Sequence, residues 1–345
     1  MTGSTLLTLV VVQAGAWAQG DPLPTDVANN AVAAVETADG WEVYSFLGLD
    51  DSKVWSGVHS RVFRYRSRTG SWAELPPVDG PGRLASTAQT VDGLVLLFGG
   101  YTVAEDGSER SAPDVNMWDP VTERWGLAAP IPIPTDDAVS GVWNESTVYL
   151  VSGWHDTDNI SDVQAYDAAR DSWFAATPIP GPPVFGHSGA LAGNTIVYID
   201  GVRVDQDPRQ FVLEGSSWRG DISPDDPSQI TWRKIADHPG PPLYRAAATS
   251  VGPWVIFAGG TDNPYNYNGL GYDGDASEPL AGVFAYNVAE DRWVELPSLE
   301  TPTMDHRGIV RVGDELWILG GMEAGQQVTR RISRIDLEGL LGQGR

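Results

Sequence analysis

The sequence predicts an all-β chain built from repeated four-stranded antiparallel units, and three observations carry that expectation. An aromatic residue and a tryptophan recur at one spacing, small-residue pairs close a series of apolar strands, and the composition is rich in turn formers, with 39 Gly and 25 Pro in 345 residues. The first signal is a pair seven residues apart: Tyr65 with Trp72, Trp118 with Trp125, Tyr166 with Trp173, Tyr286 with Trp293, and at the same spacing Phe211 with Trp218. The residues between are turn formers, as in Asp119-Pro120-Val121-Thr122-Glu123-Arg124, so each pair reads as two strands joined by a tight turn.

Upstream of each pair lies a second hairpin, in which an apolar strand ends in a small pair. Val95-Leu96-Leu97-Phe98 runs into Gly99-Gly100, Val148-Tyr149-Leu150-Val151 into Ser152-Gly153, Val255-Ile256-Phe257-Ala258 into Gly259-Gly260, and Leu316-Trp317-Ile318-Leu319 into Gly320-Gly321. Asp200-Gly201 and Leu47-Gly48 are degenerate members, bringing the count to six at intervals of roughly 50 to 60 residues. An insertion between Trp218 and Trp232 leaves the third strand of the fourth unit ambiguous.

The last unit lacks the Trp-x-x-Leu-Pro strand that ends the others (Trp72 to Pro76, Trp293 to Pro297), while Pro22-Leu23-Pro24 stands unclaimed at the start. The amino-terminal segment is therefore expected to supply the missing strand, because a ring closed in this way leaves no open sheet edge. Leu6 to Ala18 is an uncharged apolar run ending in Ala16-Trp17-Ala18, the pattern of a secretory signal, although no Lys or Arg precedes Lys53. The resulting division is a signal-like segment over 1–18, one propeller domain over 19–338 and a carboxy-terminal tail over 339–345. The expected location is the periplasm or the cell exterior. The alternative reading of the run is a buried first strand, since it is too short to span a membrane.

The double glycine, the later aromatic and the tryptophan together resemble the kelch repeat, over roughly residues 22–337. That resemblance implies a six-bladed kelch-type β-propeller of four-stranded antiparallel blades. It also implies that the loops at the blade starts and those after the small pairs open on one face around a central channel. Among kelch propellers, the six-bladed sialic-acid mutarotases of the bacterial periplasm open and reclose a sugar ring with an acid–base pair while Arg holds the carboxylate. Kelch copper-radical oxidases need a Cys–Tyr crosslink, which a chain with no Cys cannot form.

A net charge of −24 disfavours nucleic acid and anionic membrane surfaces, both of which need a basic footprint. The absence of Cys also removes thiolate metal sites and cysteine nucleophiles. No cofactor and no metal are expected. Gly186-His187-Ser188-Gly189 is similar to a nucleophile elbow, but Ala190 stands where that motif needs Gly.

The candidate site residues come from the two loop sets. Proton carriers are His306, His187 and Asp137; anion holders are Arg83, Arg245, Arg307 and Arg203, whose guanidinium forks suit a carboxylate unless each is paired with an Asp of a neighbouring blade. Tyr101 and Trp154 follow small pairs, and Tyr265, Tyr267 and Tyr272 sit in the long polar insertion Asp262 to Pro279, where aromatic faces beside amides suit sugar rings. Asp273-Gly274-Asp275 with Asp262 offers a calcium alternative, and His187 with His306 a metal alternative. The leading expectation is a binding protein for a carbohydrate, possibly acidic, or for a protein. The alternatives are a mutarotase or epimerase of an acidic sugar, and an adhesion or assembly subunit.

Overall fold

The computed structural model describes residues 15–342, so the first nine residues of the apolar run at 6–18 lie outside it. Six four-stranded antiparallel sheets surround one axis, with innermost strands Ala31–Thr37, Thr87–Val91, Val139–Trp143, Ser188–Ala192, Ala247–Val251 and Val310–Val312. Neighbouring blades bury apolar faces against each other, as where Tyr149, Val151 and Val163 of the third blade meet Ile196 and Tyr198 of the fourth. The chain is a six-bladed β-propeller.

The seven-residue spacing has a geometric cause: it places its two aromatics opposite each other across the third and fourth strands. Tyr65 faces Trp72, Trp118 faces Trp125, Tyr166 faces Trp173 and Tyr286 faces Trp293. Their ring centroids lie 5.5, 5.1, 5.2 and 4.9 Å apart, which contributes about 0.5–1.5 kcal/mol per pair beyond area burial. The pair Phe211 and Trp218 is an exception to the expectation. In the fourth blade the third strand is Ser217–Ile222, and Gly220 faces Trp232. A Cβ on Gly220 would meet the Trp232 ring at 2.5 Å, so the indole fills the space an aromatic partner takes elsewhere. Phe211 belongs instead to an added hairpin, Val202–Gln206 with Arg209–Leu213.

Each repeat tryptophan also ties its blade to the preceding one by donating its indole N–H to a backbone carbonyl. Trp72 bonds Asp21 (3.3 Å), Trp125 bonds Pro76 (3.1 Å), Trp173 bonds Ala129 (2.8 Å), Trp232 bonds Thr177 (3.1 Å) and Trp293 bonds Ala236 (2.7 Å). The sixth member is Trp17, which bonds Pro297 at 2.9 Å. Trp17 is buried, Ala18 and Gln19 pair with Arg334 and Ser333 of the last blade, and the Leu23 amide bonds the Arg330 carbonyl at 2.9 Å. The amino-terminal strand thus completes the sixth blade, with Trp17-Ala18-Gln19 in the place that Trp72-Ala73-Glu74 holds in the first. Within the segment read as a tail, Leu340 is fully buried in the same cluster as Trp17.

The small pairs turn the chain out of the second strand, and their two positions are not equivalent. The first member has a left-handed backbone that Leu47, Ser152 and Asp200 also adopt; the second is always Gly. A Cβ at Gly153 would lie 2.5 Å from the Asp136 carbonyl, and one at Gly100 2.5 Å from the Leu84 carbonyl. A Cβ at Gly99, Gly259 or Gly320 would also meet a backbone carbonyl, at 2.2–2.3 Å, so what sets the second position apart is its φ of 86–119°, beyond the left-handed region that Leu47, Ser152 and Asp200 adopt at the first, and the degenerate pairs keep that glycine.

Candidate functional site

The glycine contacts bring the two loop sets together. At the start of every blade one residue bridges to a residue just after a small pair: Ala28 to Leu49, Leu84 to Tyr101, Asp136 to Trp154, Phe185 to Val202, Tyr244 to Thr261, Met304 to Met322. The next residue of each, namely Asn29, Ala85, Asp137, Gly186, Arg245 and Asp305, has positive φ. These six equivalent positions encircle the axis, and amide-to-carbonyl bonds run between several of them, including Asp137 to Ala85, Gly186 to Asp137 and Arg245 to Gly186.

Their side chains close the neck. Arg245, 3% exposed, donates Nη2 to Asp137 Oδ2 (2.6 Å) and Nη1 to Asp305 Oδ1 (3.2 Å). Arg307 reaches the same two carboxylates and donates Nε to Asn29 Oδ1 (3.1 Å). Two guanidiniums and two carboxylates balance in this network, in which Arg245, Asp137 and Asp305 are buried and Arg307 borders the channel. Burial alone works to raise the Asp137 pKa, but Arg245 and then Arg307 outweigh it and hold the carboxyl below the usual Asp range. The plug costs desolvation that the pairing offsets, and removing one partner leaves a bare buried charge.

Outside the plug, on the loop face, is a cup of about 390 Å³. Its aromatic wall comes from the added hairpins and the polar insertion: Phe211 stacks on Tyr272 with centroids 4.1 Å apart, and Phe185 and Trp154 pack beside it. Tyr101 lines it from the second blade, with Glu109 and Asp156 at its margin. Asp136 is 2% exposed and accepts a hydrogen bond from the Ser111 hydroxyl at 2.5 Å. Burial first, and then the charge of Asp137, push the Asp136 pKa well above the ordinary carboxylate value. Glu109 reaches solvent, but the concave wall desolvates it enough to raise its pKa as well.

On the far side of the plug a channel of about 350 Å³ runs between the innermost strands, lined by small and hydroxyl-bearing residues such as Thr87, Ser140, Ser188, Thr249 and Ser250. His187 and His306 lie at its inner end, both buried. Burial lowers the His187 pKa to about 4; burial together with the Arg307 charge lowers that of His306 to about 3. His187 donates Nε2–H to the Val151 carbonyl (2.9 Å), and Nε2 of His306 is hydrogen-bonded to the Thr303 hydroxyl (2.9 Å).

The candidate residues therefore separate into distinct places. Tyr101, Trp154, Tyr272, Asp137 and Arg245 line the cup; His187, His306 and Arg307 face the channel. Tyr265 is fully buried beneath Arg245, which lies 5.4 Å from its ring centroid, and Tyr267 packs against the same apolar cluster. Arg83 is buried against Asn116 and within 3.6 Å of Asp114, and Arg203 pairs with Asp205 and Glu214 on its own hairpin. Asp273 accepts from Asn263 Nδ2 and the Asp275 amide, and among the described residues no three metal-ligating side chains cluster. Gly186-His187-Ser188-Gly189 enters an innermost strand, as its flanking repeat pattern implies.

Sequence reasoning missed Asn29 and Asp305 in the plug, and Glu109, Phe185 and Phe211 in the cup. Aligning the repeats on the residue that follows each blade-start bridge would have found the first two. Nothing local marks Glu109 or Phe211, which sit on hairpins added to single blades.

The chain matches no protein-family model and no curated protein sequence. Among solved structures it is similar to one titled "Structure of YjhT", with TM-score 0.72, 17% identity, and coverage of 91% of this chain and 95% of the other. That likeness bears on the fold, which it supports over nearly the whole of both chains.

Proposed function

We propose that the protein is a ligand-binding propeller whose site is the loop-face cup. The observation that carries this reading is the stacked Phe211–Tyr272 pair with Trp154 lining the same concavity as a set of carboxyls, over a floor sealed by the Arg245–Asp137–Arg307–Asp305 plug. An aromatic face takes the C–H face of a sugar while polar groups take its hydroxyls. A kelch-type carbohydrate-binding role fits this chemistry. An acidic sugar fits less well, because Arg245, the one guanidinium lining the cup, already serves two carboxylates. Titrating neutral monosaccharides while following tryptophan fluorescence tests the reading. Saturable binding that Phe211→Ala weakens about tenfold supports it, a loss of about 1.4 kcal/mol; binding indifferent to both Phe211→Ala and Trp154→Ala sinks it.

One observation favours turnover as a second reading. Adjacent Asp136 and Asp137 at one cavity have pKa values pushed apart, the first upwards by burial and the second downwards by Arg245 and Arg307, which is the arrangement acid–base chemistry uses. Anomer exchange measured by NMR, lost in Asp136→Asn, would support it. Export accords with the apolar run before Ala16, on the condition that processing spares Trp17, which closes the ring.

A further inference from the structure

We propose that the ligand of the loop-face cup is an organic cation, an ammonium or guanidinium group carried on a small body that the aromatic wall covers. This rests on the reading of the cup as a ligand site and deepens it by fixing the sign of the ligand's charge.

Charge within the cup comes first. Asp136, Asp137, Glu109 and Asp156 line it, Arg245 lies at its floor, and Arg209 borders its outer rings with Nη2 on the Thr157 carbonyl. Arg245 is 3% exposed, with one arm on Asp137 and another on Asp305, so it has no face to turn towards an anion. Arg307 is held by the same two carboxylates on the channel side. Once those pairs are counted, Asp136, Glu109 and Asp156 remain without a basic partner in the cavity. A carboxylate or sulfate entering it would meet like charge, in a protein whose net charge is −24.

The aromatic wall is an independent observation. Ring faces carry negative quadrupole density, and clusters of them attract cations, most strongly where water is excluded. The chain itself uses these rings in that way: the Arg209 guanidinium lies 5.8 Å from the Trp154 centroid and 5.7 Å from that of Phe211, anchored by Nη2 on the Thr157 carbonyl at 2.7 Å. A cation from the chain thus already borders two rings of the wall.

Asp136 supplies a third strand of argument. Its carboxyl is buried beside Asp137, feels the charges of Asp137, Glu109 and Arg245, and accepts a hydrogen bond from the neutral Ser111 hydroxyl. Burial and the neighbouring Asp137 charge make ionisation of Asp136 unfavourable in the empty cup. A cationic ligand beside it favours the ionised carboxyl, so binding of the cation tightens as pH rises through the titration of Asp136.

The test uses three probes of one shape: choline, 3,3-dimethylbutan-1-ol and 3,3-dimethylbutyrate, bearing permanent positive charge, no charge and negative charge. Calorimetric titration of the full chain is expected to give choline an affinity about tenfold above the alcohol, with the butyrate weakest. Choline binding should strengthen as pH rises above the ordinary carboxylate range, and because its charge is fixed, that dependence belongs to the protein. Glu109→Gln, at an exposed margin where folding is safe, should weaken choline several-fold and leave the alcohol unchanged. Asp136→Asn should flatten the pH dependence. Equal or tighter binding of the alcohol or butyrate overturns the inference and leaves the cup reading standing. So does binding of neutral sugars, sensitive to Phe211→Ala, with none of choline. Failure of every probe and every sugar overturns both.

Discussion

At one end of the propeller axis, hairpins added after the small pairs wrap a cup in phenyl and indole rings and carboxyls; at the other, the innermost strands present hydroxyls and small side chains to an open channel. Both ends grow from the same six repeats. The difference arises because the strands are constrained by packing against neighbouring blades in every repeat, whereas the hairpins beyond the small pairs pack mainly on one another, as Ser111 bonds Asp156 and Gln206 bonds Asp158, and so can vary from blade to blade. The channel wall is therefore close to what any such ring must have, and the cup is what this chain has added. Between them the Arg245–Asp137–Arg307–Asp305 network keeps the two apart.

The largest effect should come from breaking that partition. Asp137→Ala leaves two buried guanidiniums without their shared carboxylate and should cost about 3–5 kcal/mol of unfolding free energy. Urea unfolding checks this, and a loss under about 1 kcal/mol would mean that the plug is not a structural divide.

The two ends should next differ in the sign of their pH dependence. His187 and His306 have folded pKa values depressed to about 4 and about 3 from 6.5, so the native state binds fewer protons than the unfolded chain, and they cost stability as pH falls below 6.5. Asp136 is raised, so the native state binds more protons, and stability from this group is lost as pH climbs above the ordinary Asp value towards the raised one. Each slope has a ceiling of about 1.4 kcal/mol per pH unit for a single group. Melting curves from pH 4 to 7 should show His187→Gln shallower than wild type on the acid side, and Asp136→Asn gaining on wild type towards neutrality. Slopes of one sign from both variants would remove the contrast.

A smaller change should follow Tyr272→Phe, which keeps the stack on Phe211 and removes a desolvated hydroxyl. It should alter ligand affinity by about threefold or less and stability by under about 1 kcal/mol, as read by titration and thermal melts. The smallest effect is expected in the channel. Thr249→Val should leave ligand affinity unchanged, since Thr249 lies beyond the plug from the cup; an altered affinity would show that the two cavities communicate.

The fold was legible because its determinants repeat. A tryptophan seven residues after an aromatic, or a glycine that cannot bear a Cβ, answers to a local contact that every blade makes. Phe211 and Trp218 show the limit: the spacing occurs there by coincidence, and only the register of Gly220 with Trp232 reveals it. Trp17 was legible in principle as the sixth repeat tryptophan, but its position inside an apolar run gave it a second meaning. The cup was legible in part. Trp154, Tyr101, Asp137 and Arg245 were marked by their place in the repeat; whether Arg245 stays free or is spent on Asp137 and Asp305 depends on side chains 108 and 60 residues away. No pattern in one chain encodes that choice.

The clasp at Trp17 sets an order of events during synthesis. The first-made part of the ring is an outer strand whose partners, Ser333 and Arg334, are made after the other five blades. Until they are, the Trp17 strand must stay unpaired or held by something else while five blades form, and the ring can shut only once the sixth blade has been made. A nascent chain stalled before residue 333 would therefore carry an open arc, susceptible to proteolysis at both ends, and completion of the sixth blade would be the moment at which the ring becomes resistant.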